Sequence, residues 1–256
     1  MQQICADLRA EHDALDAIVA DLTPEQWASP TPAEGWDVRE TIVHIVQADE
    51  AGHLAVVDPE EFERRKTLVL AEGLDAFGSG VGRSGADTLA WWRDARTRMV
   101  DAFAALEPKA RIPWFGPSMG ALSFATARLM ETWSHGQDIA MTLGRTIEPS
   151  DRLRHVAHIG VTTRGWSYVN RGRTAPETPV RVELHAPSGT TWTWGPDDAS
   201  DRVQGSALDF CLVVTQRRHV TDTALRAEGS AAGEWLEIAQ AFAGPPTLTD
   251  PHRTTR

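Results

Sequence analysis

Apolar residues recur at helical spacing through the first two-thirds of the chain and at alternate positions beyond it. In residues 2–21, Ile4, Leu8, Leu15, Ile18 and Val19 fall near a 3.6-residue period. Thr23-Pro24-Glu25-Gln26 combines an N-cap threonine, a proline in the first turn and a glutamine at the capping-box position, and predicts a short second helix. After the turn-rich Pro30–Gly35, Asp37 with Glu40 caps a helix carrying Val38, Ile42, His44, Ile45 and Ala48. Asp58-Pro59 opens a polar helix to about Lys66. Residues 78–85 are glycine-rich, but no strand precedes them and the lysine of a phosphate loop is missing, so a flexible loop is expected. Ser84 or Asp87 opens a long helix to Leu106, with Leu89, Trp92, Met99, Val100 and Phe103 on its buried face. A proline-punctuated loop follows, then a helix from Ser118 to about Leu143, and another from Ser150 or Asp151 to about Asn170. Together these elements predict an antiparallel helical bundle.

The pattern changes near Arg171. Residues 171–179 have the composition of a linker. Val180–His185 and Thr190–Trp194 alternate like half-buried strands about a Pro187-Ser188-Gly189 turn, and residues 201–204 form a third short strand. Ser206–Arg217 reads as a buried helix, Ala224–Glu228 as a strand and Ala231–Phe242 as a closing helix. The expected division is a helical bundle at 1–170, a linker at 171–179, a small α+β domain at 180–245 and a disordered tail at 246–256.

Composition narrows the function. The 256 residues are 41% hydrophobic and 24% charged, as in ordinary globular proteins. No apolar run approaches ~20 residues, so no membrane partner is expected, and the first residues lack a secretory leader. Cys5 and Cys211 make no disulfide framework, which together with the missing leader points to the cytoplasm. Cys211, inside Phe210-Cys211-Leu212-Val213, reads as a small buried hydrophobe. The net charge of -11 argues against a nucleic-acid partner. Only Lys66 and Lys109 are lysine; the arginine and alanine bias suggests a GC-rich actinomycete genome.

Chemistry concentrates in two segments, Gly35–His44 and Glu131-Thr132-Trp133-Ser134-His135. On a helix Glu131 and His135 lie ~40° apart on one face, with Asp138 ~20° to the other side of Glu131. His44 and His53 lie ~180° apart, so only one of them can face a common core, and His44 is the one set among Ile42, Val43, Ile45 and Val46. Two imidazoles and a carboxylate make a three-ligand set for a divalent metal, with Asp138 placed to orient a histidine from behind. Spacing alone is also compatible with a core histidine beside an exposed helical pair. Zinc is the default for such a set; nickel, iron(II) or manganese fit the same donors.

Gly35-Trp36-Asp37-Val38-Arg39-Glu40-Thr41-Ile42-Val43-His44 resembles the first-ligand motif of the DinB-like superfamily, especially its mycothiol-dependent maleylpyruvate isomerase family. Glu131-Thr132-Trp133-Ser134-His135-Gly136-Gln137-Asp138 resembles that family's second motif, which supplies a glutamate and a histidine. The resemblance implies a mostly α protein with an α+β second domain: a DinB-like four-helix bundle followed by a small sterol-carrier-like domain. It also implies a metal held by His44, Glu131 and His135 that activates the thiol of mycothiol against a small electrophile. Addition of the thiolate to a conjugated double bond, rotation and elimination give cis–trans isomerisation; attack on an activated carbon gives thiol transfer. The family places an arginine of the second domain near the metal to bind a carboxylate or stabilise negative charge. Arg217 and then Arg218 are the candidates, although Thr215-Gln216 stands where the family usually has glycine. A helix C-terminus matched by two arginines is the structural alternative.

Trp192–Asp198, Gly205–Arg218 and Glu234–Gly244 resemble an actinobacterial subgroup of metal-binding DinB-like proteins whose second domain is linked to wyosine base formation. Neither half is basic and no radical-cluster cysteine motif is present, so tRNA chemistry is not expected. Trp192, Trp194 and Trp235 read as core or interface residues. The expectation is a metal-dependent thiol-transfer or isomerisation enzyme, monomeric or homodimeric, whose partners are a low-molecular-weight thiol and a small substrate. The alternative is a non-catalytic, metal-stabilised protein that binds a small-molecule or acyl ligand.

Overall fold

Helix signals are realised closely in the first unit of the structure, a computed structural model that describes residues 1–245. This unit spans Met1–Ile147. It contains α1 (Gln2–Val19), α2 (Pro24–Trp27), α3 (Val38–Val57), α4 (Pro59–Lys66), α5 (Val69–Glu72), α6 (Gly85–Ala104), a two-residue hairpin of β1 (Arg111–Ile112) and β2 (Met119–Gly120), and α7 (Ala121–Thr142). The four long helices α1, α3, α6 and α7 form the bundle, α3 packing on α6 and α1 on α7. Leu8, Leu15, Ile42, Ile45, Trp92, Met99, Phe103 and Phe124 are fully enclosed between them. None of the described helices is long and apolar enough to cross a membrane.

The caps show why these helices begin where they do. Thr23 with Gln26 and Asp37 with Glu40 close the expected capping boxes. At α6 the two candidates act together: Ser84 is the cap and Asp87 its partner at the third position. The last bundle helix starts later than expected, at Ala121 behind Gly120, because Ser118 is engaged by Arg111 across the hairpin. The glycine-rich segment is pinned down. Gln47 donates to the Gly78 carbonyl, Arg39 donates to the Gly80 carbonyl, and a Cβ at Gly80 would lie 2.7 Å from the Val43 side chain. Glycine here permits a close approach to α3.

The second unit begins at Glu148. It comprises α8 (Leu153–Thr162), α9 (Arg164–Val169), β3 (Val180–His185), β4 (Thr191–Trp194), β5 (Asp201–Ser206), α10 (Ala207–Val214), β6 (Arg226–Glu228) and α11 (Ser230–Ile238). The sheet order is β4-β3-β5-β6, with β3 and β5 parallel and the outer pairs antiparallel. Val182, Leu184 and Val203 point to the covered face, as the alternation predicts. Trp192 and Trp235 are buried within the unit.

The expected boundary at 170 is corrected to 147/148. The helix read as continuous to Asn170 breaks at Thr163 into α8 and α9, and both pack inside the second unit. Cys211 of α10 lies against the Leu153 carbonyl, and Ser167 and Asn170 bond to Gln240. Burial pushes the Cys211 thiol well above its ordinary range, in line with a packing role. The 171–179 segment is therefore internal to this unit; the expected tail at 246–256 lies outside the described residues.

Gly160 of α8 meets Val214 of α10 so closely that a Cβ there would sit 2.8 Å from a valine methyl. Gly160→Val is expected to cost about 1–3 kcal/mol by overpacking. A lowered urea midpoint with unchanged metal uptake would fit the revised boundary; an unchanged midpoint would count against it.

Candidate metal centre

Gly35 adopts a left-handed conformation, φ +81°, and turns the chain into the α3 cap. The following Trp36 is held by its backbone: its carbonyl accepts from the Thr31 N–H at 2.8 Å and from the Thr31 hydroxyl at 3.0 Å. The Asp37 carboxylate then accepts the Glu40 N–H at 2.6 Å, and Glu40 accepts the Asp37 N–H at 3.0 Å. This fixed entry sets the start of α3 and hence the place of His44, two turns on.

α7 supplies the other groups. His135 Nε2 lies 3.5 Å from Glu131 Oε2, and His135 Nδ1 lies 3.3 Å from Asp138 Oδ2. The His44 and His135 rings are 5.0 Å apart at 71°. His44, Glu131 and His135 can each offer one ligand atom with all three within 4.8 Å of one another. A tetrahedral zinc site with bonds of ~2.0–2.1 Å has ligand–ligand edges of about 3.3–3.4 Å. The 3.5 Å Glu131–His135 separation already matches such an edge. Asp138 Oδ2 lies beside the other ring nitrogen, Nδ1, so the two carboxylates of α7 face opposite nitrogens of the His135 ring.

Burial alone would raise the Glu131 carboxyl. The bond to His135, and the charges of His135, Arg128 and His44, outweigh it and hold the group down to about 2. Glu131 is thus anionic at neutral pH. Trp36 lies beside both imidazoles, its ring 4.7 Å from His44 and 5.9 Å from His135. It forms an aromatic wall that sequence spacing did not reveal, although it sits inside the quoted motif. Asp49 and Arg128 were missed as well: they pair between α3 and α7 at 2.9 Å, fully buried. The available signal was Arg128 inside the mostly apolar Phe124–Met130; Asp49, next to Glu50, gave none.

Arg217 and Arg218 belong to the second unit. α10 ends in a Schellman motif: Arg217 N–H donates to the Leu212 carbonyl at 2.8 Å and Gln216 N–H to Val213 at 3.0 Å. Gln216 sits at φ +58°, the left-handed position that glycine usually takes past a helix C-terminus, and its side chain donates to the Ala239 carbonyl. The glycine is missing, but the turn it would make is kept. Arg217 donates to the Thr215 carbonyl, and Arg218 is paired with Asp209 at 3.2 Å.

Fold and site together define a DinB-like helical bundle with a small α+β unit, carrying two histidines and a glutamate in metal-ligating proximity. Residues 8–140 match the family described as the mycothiol maleylpyruvate isomerase N-terminal domain, and the chain belongs to that family. Residues 176–228 match a family described as wyosine base formation. The chain is 46% identical, over 94% of its length and 95% of theirs, to two sequences from Mycobacterium tuberculosis. These are uncharacterized protein MT0041 of strain CDC 1551 / Oshkosh and uncharacterized protein Rv0036c of strain ATCC 25618 / H37Rv. Crystal structures of the mycothiol-dependent maleylpyruvate isomerase and of one of its mutants share the fold, with a TM-score of 0.59 at 14% identity. They cover 88% of this chain and 92% of theirs.

Proposed function

We propose that His44, Glu131 and His135 hold a divalent metal, zinc by donor type, and that the protein is a thiol-transfer or isomerisation enzyme using mycothiol on a small electrophile. The carrying observation is the convergence of the three donor atoms within 4.8 Å from two separate helices. A bound divalent cation supplies Lewis acidity that favours the thiolate form of a coordinated thiol. Three protein donors leave room for that exogenous group. Glu131 contributes negative charge, Asp138 faces His135 Nδ1 and is placed to orient the ring, and Trp36 covers one flank of both imidazoles. Arg217, with Arg218 beside it, is proposed as the second unit's cation for a carboxylate on the substrate.

The test is metal content of untagged protein by mass spectrometry, followed by turnover of maleylpyruvate and simple electrophiles with mycothiol. About one metal per chain and thiol-dependent turnover are expected. Metal-free protein that takes up neither zinc nor nickel would sink the metal reading. A tightly bound apolar ligand without thiol-dependent turnover would favour a binding protein.

The Asp138 arrangement makes a separate prediction. Asp138→Ala leaves all three donors in place but removes the group facing His135 Nδ1. Zinc affinity is expected to fall about 10–100-fold, measured by competition with a chelating dye. Wild-type affinity would show that His135 is oriented by something else.

A further inference from the structure

The Asp49–Arg128 pair lies outside the donor set yet touches both helices that carry it. Arg128 Nε and Nη2 donate to Asp49 Oδ1 at 3.2 and 2.9 Å, and Nη2 also donates to the Ile45 carbonyl at 3.3 Å. The two side chains are 5% and 0% exposed. Ile45 is the residue after His44, and Arg128 stands one turn before Glu131 and two before His135. One guanidinium therefore grips α3 at the peptide beside one candidate ligand, from the helix that bears the other two.

Buried ion pairs are poor stabilisers compared with apolar residues of similar volume, because desolvation offsets their attraction. They are selective about geometry. Apolar side chains at 49 and 128 would pack in several registers. The guanidinium is satisfied only where the Asp49 carboxylate and the Ile45 carbonyl are both within reach. Sliding α7 by one residue moves it ~1.5 Å along its axis and turns it ~100°, which breaks both contacts.

We propose that Arg128 and Asp49 are positioning residues that fix the register of α7 on α3, and through it the separation of His44 from the Glu131–His135 pair. The inference rests on the metal reading above. Its test uses the full chain with Asp49→Leu and Arg128→Met combined, an apolar pair expected to keep or raise thermal stability. Cobalt(II) titration reports affinity and, through its visible absorption, ligand geometry. The expected result is a fold retained by circular dichroism, cobalt affinity lower by about 10-fold or more, and an altered band.

Arg128→Lys is the second variant. It keeps the charge, but its single ammonium lacks the planar fork that spans both acceptors, so a smaller loss and an altered band are expected. That variant decides the matter if the double variant does not fold. Wild-type affinity and spectrum in a folded double variant, or in Arg128→Lys, would overturn the positioning role while leaving the metal reading intact. A wild-type chain that takes up no cobalt would overturn both.

Discussion

Replacing His135 with alanine is expected to lower zinc affinity by about 100- to 1,000-fold and to leave the bundle folded. Four-ligand structural zinc sites are worth about 10–16 kcal/mol, so one ligand accounts for about 2.5–4 kcal/mol, and each 1.4 kcal/mol is tenfold. The helix should tolerate the change, since alanine is the strongest helix former and His135 is mid-helix with its ring toward the cluster. His44→Ala should behave alike, because it removes a donor from the other helix. His53→Ala is the control: it sits ~180° around α3 from His44 and faces Arg98 instead. Stoichiometric zinc retained by His135→Ala would remove the basis for the proposed chemistry. Metal content measured beside far-ultraviolet circular dichroism separates loss of a ligand from loss of the fold.

The helical half was legible because its signals are local. Capping boxes at Thr23, Asp37 and Ser84 and the 3.6-residue pattern of Leu89, Trp92, Met99 and Phe103 each lie within one turn or one helix. The glutamate–histidine pair was legible for the same reason, as an i, i+4 relation on α7. What escaped depends on long-range packing. Nothing local shows that α8 belongs with α10, where Gly160 meets Val214 and the Leu153 carbonyl meets Cys211, so the break was placed at a linker-like composition 23 residues late. The glycines at 78–85 suggested mobility, whereas Gly80 is there because Val43 leaves no room for a side chain. Asp49 and Arg128 are 79 residues apart and find each other only once α3 and α7 are paired. His44, set among apolar residues on α3, is partly buried, with the equally part-buried Trp36 ring beside it.

Two tryptophans of the bundle should separate stability from site chemistry. Trp92 is fully enclosed, packed in one cluster with Ile42, Ile45, Val46 and Leu89, and flanked by the Arg96 guanidinium at 4.5 Å and the His12 ring at 5.9 Å. Trp92→Ala removes the whole ring and leaves a cavity between α1, α3 and α6, at a cost of about 3–5 kcal/mol. For a unit of this size that is a fall in melting temperature of roughly 10 °C or more. Trp36 instead sits half-buried on the loop before α3, and its ring contacts are the two candidate ligands. Trp36→Ala should lower stability by less than about 1 kcal/mol, in the range of substitutions outside the core, but weaken cobalt binding or alter its absorption band. The physical distinction is where the lost contacts lie: Trp92 fills space that nothing else can fill, while Trp36 restrains the His44 and His135 rings. Equal destabilisation by both substitutions, with cobalt spectra unchanged in Trp36→Ala, would make Trp36 a packing residue and leave the imidazoles positioned by their helices alone.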